Sequence, residues 1–286
     1  MFRAPMAWLA VVLIGGAAPV KDPQPAPVKV LNAASAHQQP SPYDSSPYDV
    51  ENERALFDLA NQARAQAGVA ALQMDEGLTR AARTHAAEMA GQGQLSHQLA
   101  GEPSLTERLA ATCTLHLDRT GENVAYADSA DQAQQSLMHS PPHRENLLNS
   151  AYNVAGFGVV RAGSSLYVAQ DFGHSLPAYS PRQAGGLVSG SIARMRREAN
   201  LPQLQWKDSD AAQTAACSMA RADSLKTVST RGSYILRYTT SQPEILPTAA
   251  AQAIEDRAMH TFSVGTCYAH TNTYPNGVYW VTLVLQ

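Results

Sequence analysis

The chain has 286 residues, 16% of them charged, and a net charge of -3. That length is a soft prior for two domains, each large enough to bury a core. So small a charge, spread over that length, gives no electrostatic basis for binding nucleic acid or an anionic membrane surface.

The N-terminus, "MFRAPMAWLAVVLIGGAAPV", carries one positive residue, Arg3, then an apolar run over 6–14, then small residues. These are the three regions of a secretory signal peptide, expected over 1–18, and the run is too short to span a bilayer permanently. The mature protein is expected to be secreted or periplasmic, with no integral membrane segment after signal removal. No cysteine follows the small residues, so no lipoprotein anchor is expected. Residues 19–48 are rich in Pro, Ala, Gln and Ser and read as a flexible linker that cannot bury enough apolar surface to order itself.

A helix is predicted over 51–67, where Leu56, Leu59, Ala60, Ala63 and Ala67 recur at helical spacing and Gly68 supplies a left-handed stop. A second starts at Asp75 and lines Leu78, Ala81, Ala82, His85 and Met89 along one face, which reads His85 as a packed core histidine. Ser104 and Glu107 form a capping-box signal for a short third helix. A fourth helical segment lies between Ser129 and His139 and stops at Ser140, because Pro141 and Pro142 forbid continuation. Ser140 is then the cap of a further helix with Pro141 at its first position and His143 in its first turn. Strands are predicted over 154–161 and 166–172, joined by a turn at "RAGSS". Helices followed by a hairpin make this half, 49–176, an α+β pattern.

The pattern restarts over 187–286. "IARMRREANLPQLQW" echoes "DLANQARAQAGVAALQM", with Arg196 falling where Arg64 does and Trp206 where Met74 does, and "YPNG" is the turn of a closing hairpin. We read a degenerate internal duplication, with Cys217 near the place of His85. Three cysteines are too few for a disulfide framework and too widely spaced for a metal knuckle. In an oxidising compartment Cys217 is expected to pair with Cys267, both lying in the C-terminal half, which leaves Cys113 free.

Three polar stretches of the first half carry candidate chemistry: "GQLSHQL" with His97, "RTGENVAY" with Glu122 and "SPPHRENLL" with His143. Two histidines and a glutamate are the raw material of a metal site or an acid–base pair. His139 and His143 are four apart, but the prolines between them break any shared helix face. The chain has no HExxH, no GxSxG elbow and no Walker loop.

The order "QARAQAG", "LQMDEGLTRAARTHAAEM", "LSH", "GENVA", "SPPHRENLL", "GFGVV" and "YVAQDFG" resembles the CAP superfamily (SCP-like), which includes the cysteine-rich secretory, antigen 5 and pathogenesis-related 1 proteins and bacterial relatives. The resemblance implies a three-layer α-β-α sandwich, followed here by a smaller degenerate CAP-like α+β half. It also implies an open cleft lined by His97, Glu122 and His143, with Ser140 and Asn146 beside them. In the family the two histidines can hold a divalent metal, which makes His97 and His143 the metal candidates and zinc or magnesium an optional cofactor. The family's second glutamate would fall near Ser140, and Leu137 stands at its tryptophan position, so the full tetrad is missing. The expected function is an exported binding module for a small amphipathic ligand, a cell-envelope glycan or a peptide. The alternative is a metal-dependent hydrolase or protease using His97 and His143, with Glu122 as the catalytic candidate. Asn146 is expected to hydrogen-bond nearby backbone, Glu122 to orient an imidazole from a loop, and Asn123 to tie down that same loop.

Overall fold

A computed structural model describes residues 47–226 and 234–286. The expected signal segment and, apart from Pro47 and Tyr48, the linker lie outside the described residues. Helix α1 (Val50–Gln66) starts at Asp49, whose carboxylate accepts from the Asn52 N–H at 3.2 Å. Helix α2 (Glu76–Gln92) starts at Asp75, which accepts from Leu78 N–H at 2.9 Å, and ends at Gly93 with φ 64. The capping box of α3 (Leu105–Thr112) is made in both directions between Ser104 and Glu107. Helices α4 (Ala130–His139) and α5 (Pro141–Leu147) abut at Ser140.

Strands β1 (Gln73–Met74), β2 (His116–Ala127), β3 (Val154–Ala162) and β4 (Ser165–Leu176) form one sheet in the order β1-β3-β4-β2, with only β1 running parallel to its neighbour. Alternation along β3 divides the core between two faces. Ala155, Phe157 and Val159 pack with Leu56, Ala60, Ala133 and Leu137 of α1 and α4. Val160, with Val124, Tyr167 and Ala169, packs with Ala82, Ala86 and Met89 of α2. The layers are therefore helix, sheet, helix. Close approach of α2 requires glycine beneath it: a Cβ on Gly156 or Gly158 would lie 2.1 or 2.2 Å from the backbone of Leu78 or Ala82.

Strand β2 is the longest element of the first half that the sequence reading missed. Glu122 and Asn123, expected in a loop, lie in mid-strand at the sheet edge. "HLDRTGENVAYA" lacks a clean polar/apolar alternation because both of its faces carry polar groups at this position.

The second half repeats the layout. Helices α6 (Pro181–Glu198), α7 (Asp210–Ala222) and α8 (Thr248–Ile254) accompany β5 (Gln205–Trp206), β6 (Tyr234–Thr240), β7 (Thr261–Ala269) and β8 (Val278–Leu285), in the order β5-β7-β8-β6. Gly265 meets α7 at Ala212 as Gly158 meets α2 at Ala82. Both halves also bury one arginine in the same way. Arg64 donates to the carbonyls of Ala70, Leu147, Asn149 and Tyr152 at 2.7–3.0 Å, and Arg196 to those of Pro202, Ile254 and Asp256 at 2.7–2.8 Å. Each guanidinium satisfies carbonyls at a helix end with charge-assisted bonds, so a fork of five donors is what the position needs.

Cys217 on α7 and Cys267 on β7 are joined as a disulfide with Cα atoms 5.0 Å apart. Cys113 is free and buried, and burial pushes its thiol up to about 11. Among the described residues no helix is long and apolar enough to cross a membrane.

Candidate functional site

His97 reaches the sheet edge on the segment between α2 and α3, and that segment is pinned from below. His85 bonds the Ser96 carbonyl at 2.9 Å through Nε2, Glu102 accepts from Leu99 N–H at 3.1 Å, and Leu99 is buried beside α2. The His97 side chain, 55% exposed, stands with Nδ1 2.9 Å from Glu122 Oε1. His143 arrives from the opposite face on α5. Asn123 ties that helix to the sheet: fully buried, it donates to His143 O at 3.0 Å and Gln170 Oε1 at 3.2 Å, and accepts from Asn146 at 3.1 Å. Its partners thus lie on α5 and β4, not in a loop of its own. Asn146 also donates to the Glu122 carbonyl at 3.1 Å.

Ser140 occupies the cap position of α5, but its side chain makes no capping bond; its N–H closes α4 by donating to the Ser136 and Leu137 carbonyls. The locked φ of Pro141 and the buried Leu147 therefore set the direction of α5, and with it that of His143. His139 bonds Gln135 O at the exposed end of α4 and takes no part. The His97 and His143 rings end 6.1 Å apart, tilted by 34°.

Behind these rings lies a buried set of charges. Glu122 Oε2 accepts from the Arg108 guanidinium, whose other end is 3.4 Å from Glu102 Oε1. Glu102 Oε1 is in turn 2.6 Å from His85 Nδ1, and His85 Nε2 lies 3.7 Å from Glu122 Oε2. Both ring nitrogens of His85 face oxygen acceptors, Glu102 on one side and the Ser96 carbonyl on the other. His85 is thus a core histidine, as expected from its stripe, but one that serves the site. Asp171 on β4 stands directly opposite Glu122 in the β2–β4 register. Sequence reasoning missed Glu102, Arg108 and Asp171. Of these only Asp171 left a signal, an acid inside the apolar strand "SLYVAQDFG". Among the described residues no group of three His, Cys, Asp or Glu side chains is placed to hold a metal ion.

Residues 57–172 match the sequence model of the family described as CAP, the cysteine-rich secretory protein family. This stretch is a CAP domain. Two relatives from Bacillus subtilis (strain 168) align with it: the uncharacterized membrane protein YlbC, 33% identical over 42% of this chain and 34% of its own length, and the uncharacterized protein YkwD, 28% identical over 39% and 44%. The chain therefore spans under half the length of either curated relative. Among solved structures, an extracellular SCP-domain protein of Bacillus anthracis str. Ames is 27% identical, with a TM-score of 0.40, over 44% of this chain and 41% of that one.

The environment of His97 and His143 drives their titrations apart. The hydrogen bond to Glu122 holds His97 above the ordinary histidine range, against the opposing effect of its partial burial. Burial, followed by the charge of His97, holds His143 below it. The stabilisation from the His97–Glu122 pair is therefore fully present below about pH 6.5, the unfolded value, and is lost as pH rises through the folded one. It is modest, because the ring is half exposed. In a proton NMR titration His97 should titrate above the free histidine and His143 below it; a shared midpoint would show the two rings uncoupled from this environment.

The second half places different chemistry on the same register. Gly158 pairs with Ala169 and Gly265 with Thr282, so counting along the strands puts Ile235 at the place of Glu122, Val284 at that of Asp171 and Leu236 at that of Asn123. The contact of each glycine with its helix likewise puts Ala215, and not Cys217, at the place of His85. His85, Glu122 and Asp171 thus each have an aliphatic counterpart, whereas the buried Arg64 keeps its counterpart in Arg196.

Proposed function

We propose that the CAP domain is an exported binding module whose cleft, between His97 and His143, takes a small amphipathic ligand, a cell-envelope glycan or a peptide. The observation that carries this reading is the contrast with the second half. The same layers and sheet order stand there with Ala215, Ile235 and Val284 in place of His85, Glu122 and Asp171. Buried ion sets are weak contributors to net stability, so a set kept in one half and absent from the other is kept for the cleft. The second half is on this reading a decayed copy, retained for packing or for a partner.

The hydrolase alternative requires Glu122 as a free base. Its two carboxylate oxygens are engaged instead by His97 and Arg108, which favours binding.

The two imidazoles fit a divalent metal as a pair. His97 turns Nδ1 to a buried carboxylate, the arrangement by which a second layer of residues fixes a ligating ring and leaves Nε2 to bond. Nitrogen donors suit zinc, whereas magnesium prefers oxygen; bound there, zinc would supply a positive anchor for an anionic ligand group. Isothermal titration of the full chain should show one zinc site and no magnesium response. The His97→Ala/His143→Ala variant should lose that site, and affinity should fall as acidification protonates His97. Zinc uptake unchanged in the double variant would remove the cleft from consideration as the metal site.

A further inference from the structure

Asp171 is fully buried, and neither carboxylate oxygen receives an N–H or O–H donor among the described residues. The partner in its hydrogen-bonding reach is Glu122, a second carboxyl, its direct neighbour across the β2–β4 ladder. Two carboxyl groups can bond each other only if one carries a proton. Glu122 is the one held as an acceptor, because His97 and Arg108 both donate to it. We infer that Asp171 is protonated at neutral pH and donates this proton to Glu122, which makes Asp171 a positioning residue for His97.

The surrounding charges agree. Facing the pair are Glu102 from the segment after α2, His85 from α2, Arg108 from α3, and His97 from its pinned segment, while the less buried Glu88 of α2 lies beside Glu102. Within the buried set, Glu102 and Glu122 already place two carboxylates around the one guanidinium of Arg108. An ionised Asp171 would add one buried, unpaired negative charge; a neutral one adds none. Burial is the largest influence on Asp171 and raises its proton affinity well above that of an ordinary carboxyl, and the charge of Glu122 adds to it. The arrangement lets Glu122 keep acceptor bonds from three sides, so that the Nδ1–H of His97 stays directed inward and Nε2 faces the cleft.

This assignment rests on the reading of the His97–Glu122 pair as the heart of the cleft, but its test needs no ligand or metal. The infrared spectrum of the full chain at neutral pH should contain the carbonyl band of a protonated carboxylic acid, shifting in heavy water. Asp171→Asn, which keeps a donor toward Glu122, should lose that band and leave the NMR titration midpoint of His97 in place. Asp171→Leu should lose the band and move the midpoint. Carbon-13 NMR of the wild type labelled at aspartate carboxyls serves if either variant fails to fold, and should show one carboxyl protonated throughout the neutral range. No acid band in the wild type, no protonated aspartate, or a band surviving in folded Asp171→Asn would overturn the inference. A zinc titration that fails while the acid band is present would leave the shared proton standing and remove only the metal.

Discussion

Arg108→Met should lower the unfolding free energy in urea by about 3–5 kcal/mol, the cost of removing one partner from a buried ion pair. The guanidinium is the hinge of the buried set: it donates to Glu122 and lies 3.4 Å from Glu102, with both carboxylates inside the fold. Methionine fills much of the same volume, so the loss measures charge left uncompensated and not a cavity. One carboxyl then has to take up a proton or draw water inward, and His97 loses the fixed acceptor that orients it. Replacing charges in concert should cost far less, because no orphan remains. A loss under about 1 kcal/mol for Arg108→Met alone would show that water or the two carboxyls themselves had absorbed the change, and that the guanidinium does not organise the site.

What the sequence disclosed follows from what each residue does locally. Helix starts at Asp75 and Ser104, the break at Pro141 and the hairpin around Gly163 depend on neighbours a few residues away, so they were legible and lie where expected. His97, Glu122 and His143 were found through their motifs, and the structure brings them to one sheet edge. Strand β2 was not legible. An edge strand that carries polar side chains on both faces lacks the alternation by which strands are recognised, and its pairing partner β4 lies about forty to sixty positions away. Arg108 and Glu102 were hidden for a related reason. A charged residue beside a capping box reads as solvated, and only the fold reveals that its helix turns that side inward. Ser140 shows the opposite error: its type and place predicted a side-chain cap, but the preceding helix takes its N–H and the following proline does the orienting.

Replacing both Cys217 and Cys267 with alanine should lower the stability of the second half by about 4 kcal/mol in the chain-entropy account of a loop this long. The bond closes a separation of 50 residues, which contains β6 and α8, and it joins α7 to β7 beside Met219 and Trp280. Opening it releases that loop in the unfolded chain while native packing is nearly unchanged, so the effect belongs mainly to the unfolded state. A reductant should reproduce the loss in the wild type and do nothing further to the double variant. Cys113→Ala supplies the control: this thiol lies buried in the other half, and burial keeps it protonated with a value of about 11, so the difference between oxidised and reduced protein should survive its removal. If the halves unfold in separate transitions, only the second half's should move. An unchanged midpoint would mean that the core of α6, α8, β7 and β8 holds the second half without its cross-link, and that the disulfide has no part in its folding stability.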